Sequence, residues 1–216
     1  MTLIESETRL RAARGIAKSE TEAAIEAFER LKSRGHPHSP PPLVSDGWGG
    51  YDEAMVEVWG KVPDYKGRGR PPTKKRPGAG WRYLQMVKQR ENGRVMGVKA
   101  NTIYGDEREV LEKLSGGSTS YVERTNLTSR HMNGRLVRKT LGYSKELKML
   151  RASSIWEDAL YNLGRALKTL RIERPAEAAV LGRWKRRSPA MAAGLTDHIW
   201  EIEELLTTLP LPITNT

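Results

Sequence analysis

The chain has 216 residues, enough for one full domain with a sizeable core, with 38% hydrophobic and 29% charged side chains and a formal net charge of +11. It contains no cysteine, which excludes disulfides and thiolate metal sites and fits a reducing, cytoplasmic interior. No apolar run approaches the roughly 20 residues of a membrane span, and the opening MTLIESETRLRAARG lacks the apolar stretch of a signal peptide, so no membrane partner is expected.

The first predicted elements are two strands in LIESETRLRAARGIA, turning at Ser6 to Thr8 and running towards Ala17. KSETEAAIEAFERLKSRG then switches to helical spacing, with Thr21 or Ser19 as cap, Ala24, Ile25, Phe28 and Leu31 as the apolar stripe and Gly35 as the stop. HPHSPPP is a loop; His36 and His38 have neither cysteine nor a second pair nearby and are read as ordinary loop histidines. Leu43-Val44 forms a short buried strand running into Asp46 and a glycine turn, and YDEAMVEVWG is a short helix. WRYLQMVKQRENGRVMGVKANTIYG is a hairpin turning at Asn92-Gly93. DEREVLEKLSGG is a short helix stopped at Gly116-Gly117. A long helical stretch from about Thr119 to Leu170 is interrupted near Asn133-Gly134 and Gly142. A tail, 171–216, carries basic RWKRRSP and an amphipathic helix around DHIWEIEELL. The six tryptophans are expected as core or interface anchors.

Charge is unevenly placed along these elements. Residues 1–60 sum to −3, residues 61–99 to +10, residues 100–150 to +3 and residues 151–216 to +1. Focusing of this kind is the electrostatic footprint of a nucleic-acid binder, since a solubilising surface spreads its charge. The loop at 61–80, KVPDYKGRGRPPTKKRPGAG, holds Arg68, Arg70, Lys74, Lys75 and Arg76 with four prolines and four glycines and no periodicity. Its GRGRPP has the Arg-Gly-Arg-Pro core of a minor-groove hook; a flexible loop touching phosphates without sequence preference is the alternative. A second basic stretch, YVERTNLTSRHMNGRLVRKTLGYSK at 121–145, has one acid, Glu123, followed by six cations: Arg124, Arg130, Arg135, Arg138, Lys139 and Lys145. A solvated helix would mix the signs, so the pattern fits a polyanion along the stretch and a separate task for Glu123.

The element order is mixed α/β, and a tight hairpin ahead of helix-separated strands fits a ribonuclease-H-like core, a mixed sheet flanked by helices, whose first strand is missing or incomplete. Two units are expected: a core over 1–170, with the basic loop inside it, and the tail. Taken singly, Asp46 fits a helix N-cap and Glu123 a surface helix residue. Their surroundings add more. SDGWGGY, KGRGRPPTKKRPG, VERTNLTSRHMNGRLVRKTLGYSK and SPAMAAGLTDHIWEIEELL resemble, in the same order, the DDE transposases of bacterial insertion sequences, most closely the insertion-sequence-one-related group. The resemblance runs from about Ile4 to Leu206. It implies metal-dependent DNA strand cleavage and transfer, with three acids holding two Mg²⁺ (or Mn²⁺) ions that activate the attacking hydroxyl and stabilise the leaving oxygen. Asp46 matches the second acid and Glu123 the third. Double-stranded DNA, both element ends and target, is the implied partner, and assembly of several copies on DNA stays open.

Departures accompany the match. The family's first aspartate belongs on a strand ahead of the ESETRL hairpin, and Glu5 and Glu7 lie at the turn, on the wrong element. YNLGRALKTL has Ala166 and Leu167 where the family carries Pro and His. The expectation is therefore the C-terminal part of a transposase, inactive alone, with a catalytically silent DNA-binding remnant or regulator as the alternative.

Overall fold

The computed structural model describes residues 1–65, 67, 69–114, 118–137, 139–175, 177, 180 and 182–208. The fold is mixed α/β, a mixed sheet flanked by helices. The described residues form two compact units, one of Met1–Glu7 with Ala12–Thr128, the other of Thr8–Arg11 with the described residues from Ser129 onward.

In the first unit, β1 (Thr2–Ile4) lies beside β2 (Arg11–Arg14) in a two-stranded sheet. Met1 and Gly15 exchange backbone hydrogen bonds of 2.8 and 3.0 Å, the reciprocal pattern of an antiparallel pair. Helix α1 (Glu20–Ser33) follows, capped by Ser19, whose hydroxyl accepts from the amide of Glu22. Its buried face is Ala23, Ala24, Ala27, Phe28 and Leu31. That face packs on α2 (Gly50–Trp59), where Phe28 and Trp59 meet with ring centroids 5.6 Å apart. Burying a ring such as Phe28 stabilises the unit by about 1.5–3 kcal/mol.

Strand β3 (Leu43–Ser45) pairs in parallel with β4 (Tyr83–Glu91), and β4 pairs antiparallel with β5 (Arg94–Tyr104). Among the described residues the order β3-β4-β5 makes β3 an edge strand, whereas the resemblance implies a strand in the middle of the sheet for the one that ends at Asp46. It is also half-buried rather than buried, because among the described residues only β4 pairs with it. The turn between β4 and β5 holds Asn92 at φ 49° and Gly93 at φ 78°, the left-handed pair that matches the twist of a two-residue hairpin. Two register shifts each leave one extra residue on β5, Met96 and Ile103. The unit continues through α3 (Glu107–Lys113), capped by Asp106, and into α4 (Ser120–Met132). The expected glycine stop at Gly116-Gly117 lies outside the described residues.

In the second unit, a 3-10 turn at Gly134–Leu136 precedes α5 (Leu147–Ala159), which runs into a π-helical turn at Leu160–Gly164. Strands β6 (Ile172–Glu173) and β7 (Trp184–Lys185) pair antiparallel. Short helices α6 (Pro189–Ala192) and α7 (Ile202–Thr207) follow, α6 capped by the Ser188 hydroxyl. Arg11 is fully buried here: its guanidinium bonds Glu157 at 2.5 Å and Asp158 at 3.0 Å and lies 3.9 Å from the Tyr161 ring centroid. Asn162 holds the Arg11 backbone from both sides, accepting from its N–H at 3.0 Å and donating to its C=O at 3.1 Å.

The tryptophans divide between buried and exposed positions. Trp59 and Trp81 are buried, while Trp156 and Trp184 are exposed. Trp184 lies under the guanidinium groups of Arg171 and Arg183 instead.

Candidate functional site

Asp46 is the first residue past β3, and it is exposed. Its carboxylate accepts from the backbone N–H of Trp48 at 3.3 Å, closing a small turn. The N-cap reading does not hold: α2 is capped at Gly49, without a side-chain cap bond. Gly47 brings the turn against β4, where a Cβ would lie 3.1 Å from Val87 Cγ2. The Trp48 indole folds back over Gly50 and meets Tyr51 edge to face, with centroids 4.7 Å apart.

Two buried polar residues of β4 hold this turn from below. The Gln85 amide donates to the Tyr83 hydroxyl at 3.0 Å and to the Trp48 carbonyl at 3.2 Å. Tyr83 and Ser45 share a 2.7 Å hydroxyl contact, and Ser45 donates to the Asp46 carbonyl, also at 2.7 Å. Since Ser45 has one proton and spends it on that carbonyl, Tyr83 is the donor in the pair. The chain Gln85, Tyr83, Ser45, Asp46 therefore has one direction throughout. Burial pushes the Tyr83 phenol up, against the bond that Gln85 donates to its oxygen. Tyr51 is pushed up to about 12, by burial first and then by the Asp46 charge. Tyr104 donates to Asp52 and is raised by burial and by that bond. Both phenols stay protonated beside their carboxylates.

Glu123 stands in the first turn of α4. Its carboxylate is paired with Lys88 of β4, both side chains being more than a third exposed. Ser45 is the register partner of Gln85, three residues before Lys88, so the anchoring points of the two acids are about 10 Å apart along one strand.

The sequence-predicted cations lie as follows. In the first unit Arg70, Lys74, Arg76 and Arg124 are exposed. Lys75 is held by Glu57 at 2.6 Å, and Arg76 forms a backbone bridge with Lys61. In the second unit Arg135 donates to the Ser144 hydroxyl at 3.0 Å, Arg130 is half-buried, and Lys139 and Lys145 are exposed. Arg68 and Arg138 lie outside the described residues, and with Arg68 goes half of the minor-groove hook.

A pair of divalent cations needs several convergent carboxylates. Among the described residues no group of three or more acids and histidines is placed to hold a metal. Asp46 and Glu123 do not by themselves fit the two-metal site that the resemblance implies, and Glu123 is engaged with an ammonium. Sequence reasoning missed Tyr83, Gln85 and Lys88, which fix the surroundings of both acids. The visible signal was Gln85, a polar residue inside the apolar run YLQMV. No protein-family model matches the chain and no curated protein or solved structure matches it, so a functional reading rests on this geometry and on the sequence.

Proposed function

We propose that the chain is a DNA-binding transposase of the DDE group, built on a ribonuclease-H-like core and acting in the transposition of an insertion sequence. The observation that carries the reading is that β4 anchors both acids: Tyr83 and Gln85 hold the Asp46 turn, and Lys88 holds Glu123. A parallel β3–β4 pair with an acid at the end of β3 and a second acid opening a later helix agrees with the resemblance. Mg²⁺ or Mn²⁺ belongs to the complete three-acid site. The second reading, a catalytically silent DNA-binding relative or regulator, is favoured by the lack of a third carboxylate beside these two among the described residues.

Both readings place duplex DNA on the basic loop, and they divide on cleavage. The chain should bind duplex DNA with affinity falling steeply with salt, as phosphate contacts release counterions. Lys74→Ala with Arg76→Ala should flatten the slope of log affinity against log salt by about 2, near 0.9 for each lost contact. Lys75→Ala should add less, because Lys75 already serves Glu57. In a nicking assay with Mg²⁺ or Mn²⁺, the chain alone should be inactive. An added segment carrying the family's first aspartate should give metal-dependent nicking that Asp46→Asn and Glu123→Gln abolish without loss of DNA affinity. An unchanged salt slope removes the loop from the interface. Nicking that survives both acid substitutions overturns the transposase reading.

A further inference from the structure

The hairpin of β4 and β5 is longer than its sheet requires. Strand β3 pairs only with Tyr83, Leu84 and Gln85. The ribbon formed by Val87–Glu91 and Arg94–Lys99 has no further strand beside it among the described residues. Its side chains are exposed to a degree unusual for their type: Val95 51%, Met96 67% and Val98 53%. Around them stand Lys88, Arg90, Arg94 and Lys99, with Glu91 as the only acid of the segment 87–99. Arg90, Arg94 and Lys99 form no ion pair among the described residues, whereas Lys88 is committed to Glu123.

Register arranges these residues in a repeating way. Val87 faces Lys99, Lys88 faces Val98 and Arg90 faces Val95. Each directly opposed pair shares one face of a ribbon, so cation and aliphatic side chain sit together three times, on both faces. The left-handed Asn92-Gly93 turn keeps the tip narrow. The projecting part, five residues on β4, is about 16 Å long.

We infer that this ribbon enters the major groove of duplex DNA. The groove, about 12 Å wide, admits a two-stranded β-ribbon. Its phosphate walls complement the three uncommitted cations, and its floor offers thymine methyl groups to the exposed Val95, Met96 and Val98. The cations alone would suit any polyanion, and the aliphatic groups alone would suit a second copy of this chain. Their pairing across the strands, at three of the five opposed positions between Val87 and Glu91, favours the groove. The inference rests on the DNA-binding reading above and adds a surface separate from the loop at 61–80.

The test uses the full chain, a duplex of about 20 base pairs and three variants, each checked for its fold by circular dichroism. Arg90→Ala with Arg94→Ala and Lys99→Ala should flatten the salt slope by about 2.7, at about 0.9 per charge. Met96→Asn with Val98→Asn should weaken binding at least tenfold with the slope unchanged. Guanine N7 methylation, a major-groove reaction, should interfere with binding of the unaltered chain and no longer with the cation variant. If the unaltered chain binds no duplex, the DNA-binding reading falls and this inference with it. If it binds and the ribbon variants match it in affinity and slope, the ribbon inference alone is overturned. Concentration-dependent dimerisation abolished by Met96→Glu, with DNA binding intact, overturns it in favour of self-association.

Discussion

Gly50 and Arg11 show how much hangs on single residues. A Cβ at Gly50 would lie 2.3 Å from the Trp48 ring, a distance no packing tolerates. Gly50→Ala must therefore expel the indole, loosen its contact with Tyr51 and shift the turn that presents Asp46. Overpacking of this kind costs about 1–3 kcal/mol, to be read as a lower urea midpoint with a changed tryptophan emission. Arg11 is a different case, since its guanidinium is buried with the Glu157 carboxylate. Arg11→Ala takes the guanidinium from beside Glu157 and Asp158, and breaking a buried pair costs about 3–5 kcal/mol. Arg11→Met together with Glu157→Leu removes the two buried charges, leaving the partly exposed Asp158, and should recover part of the loss. A loss as large in the double variant would show that the geometry, rather than the charge pairing, holds the site.

Among the elements, α7 offers a test of pH. The His198 ring meets Asp197 through Nδ1 at 2.6 Å and Glu204 of α7 through Nε2 at 3.0 Å. Asp197 first and then Glu204 raise its pKa above the usual histidine value of about 6.5. A raised folded-state pKa contributes stability that is fully present below about 6.5 and is lost as pH rises through the folded value. Helix α7 should therefore loosen as pH rises from about 6.5 through the folded value. NMR titration of His198 should give a midpoint above 6.5 that Glu204→Gln lowers, and a midpoint at or below 6.5 would exclude the bridge. Elements whose signals are local were legible in the sequence. Ser19 and Asp106 cap where hydroxyl or carboxylate precedes a helical pattern, and Asn92-Gly93 turns where its backbone preference demands. Asp46 at a strand end and Glu123 in a first helical turn were legible for the same reason.

At the scale of the whole molecule, long-range pairing was not legible. No local pattern says that β3 runs parallel beside β4, or that Lys88 reaches Glu123 across 35 residues. Tyr83 reads as an ordinary strand residue, and Gln85 only as a polar residue in an apolar run, until the Asp46 turn is seen above them. The cations were visible as charge, while their commitments to Glu57, Ser144 or Glu123 were not. The six tryptophans look alike in sequence and end in unlike places, because burial depends on which faces meet.

The bonds between Arg11 and Asn162 also set a schedule. They span 151 residues of chain, so Arg11 leaves the ribosome long before its partner exists. At about 5–20 residues per second, that interval is about 8–30 s. Throughout it a guanidinium destined for burial has neither Glu157, nor Asp158, nor the Tyr161 ring. Closing so long a loop comes late, since its entropy is lost before any contact repays it. A nascent chain halted before residue 157 should therefore keep the Arg11 segment open to proteases, while the core around Phe28 and Trp59 is already assembled.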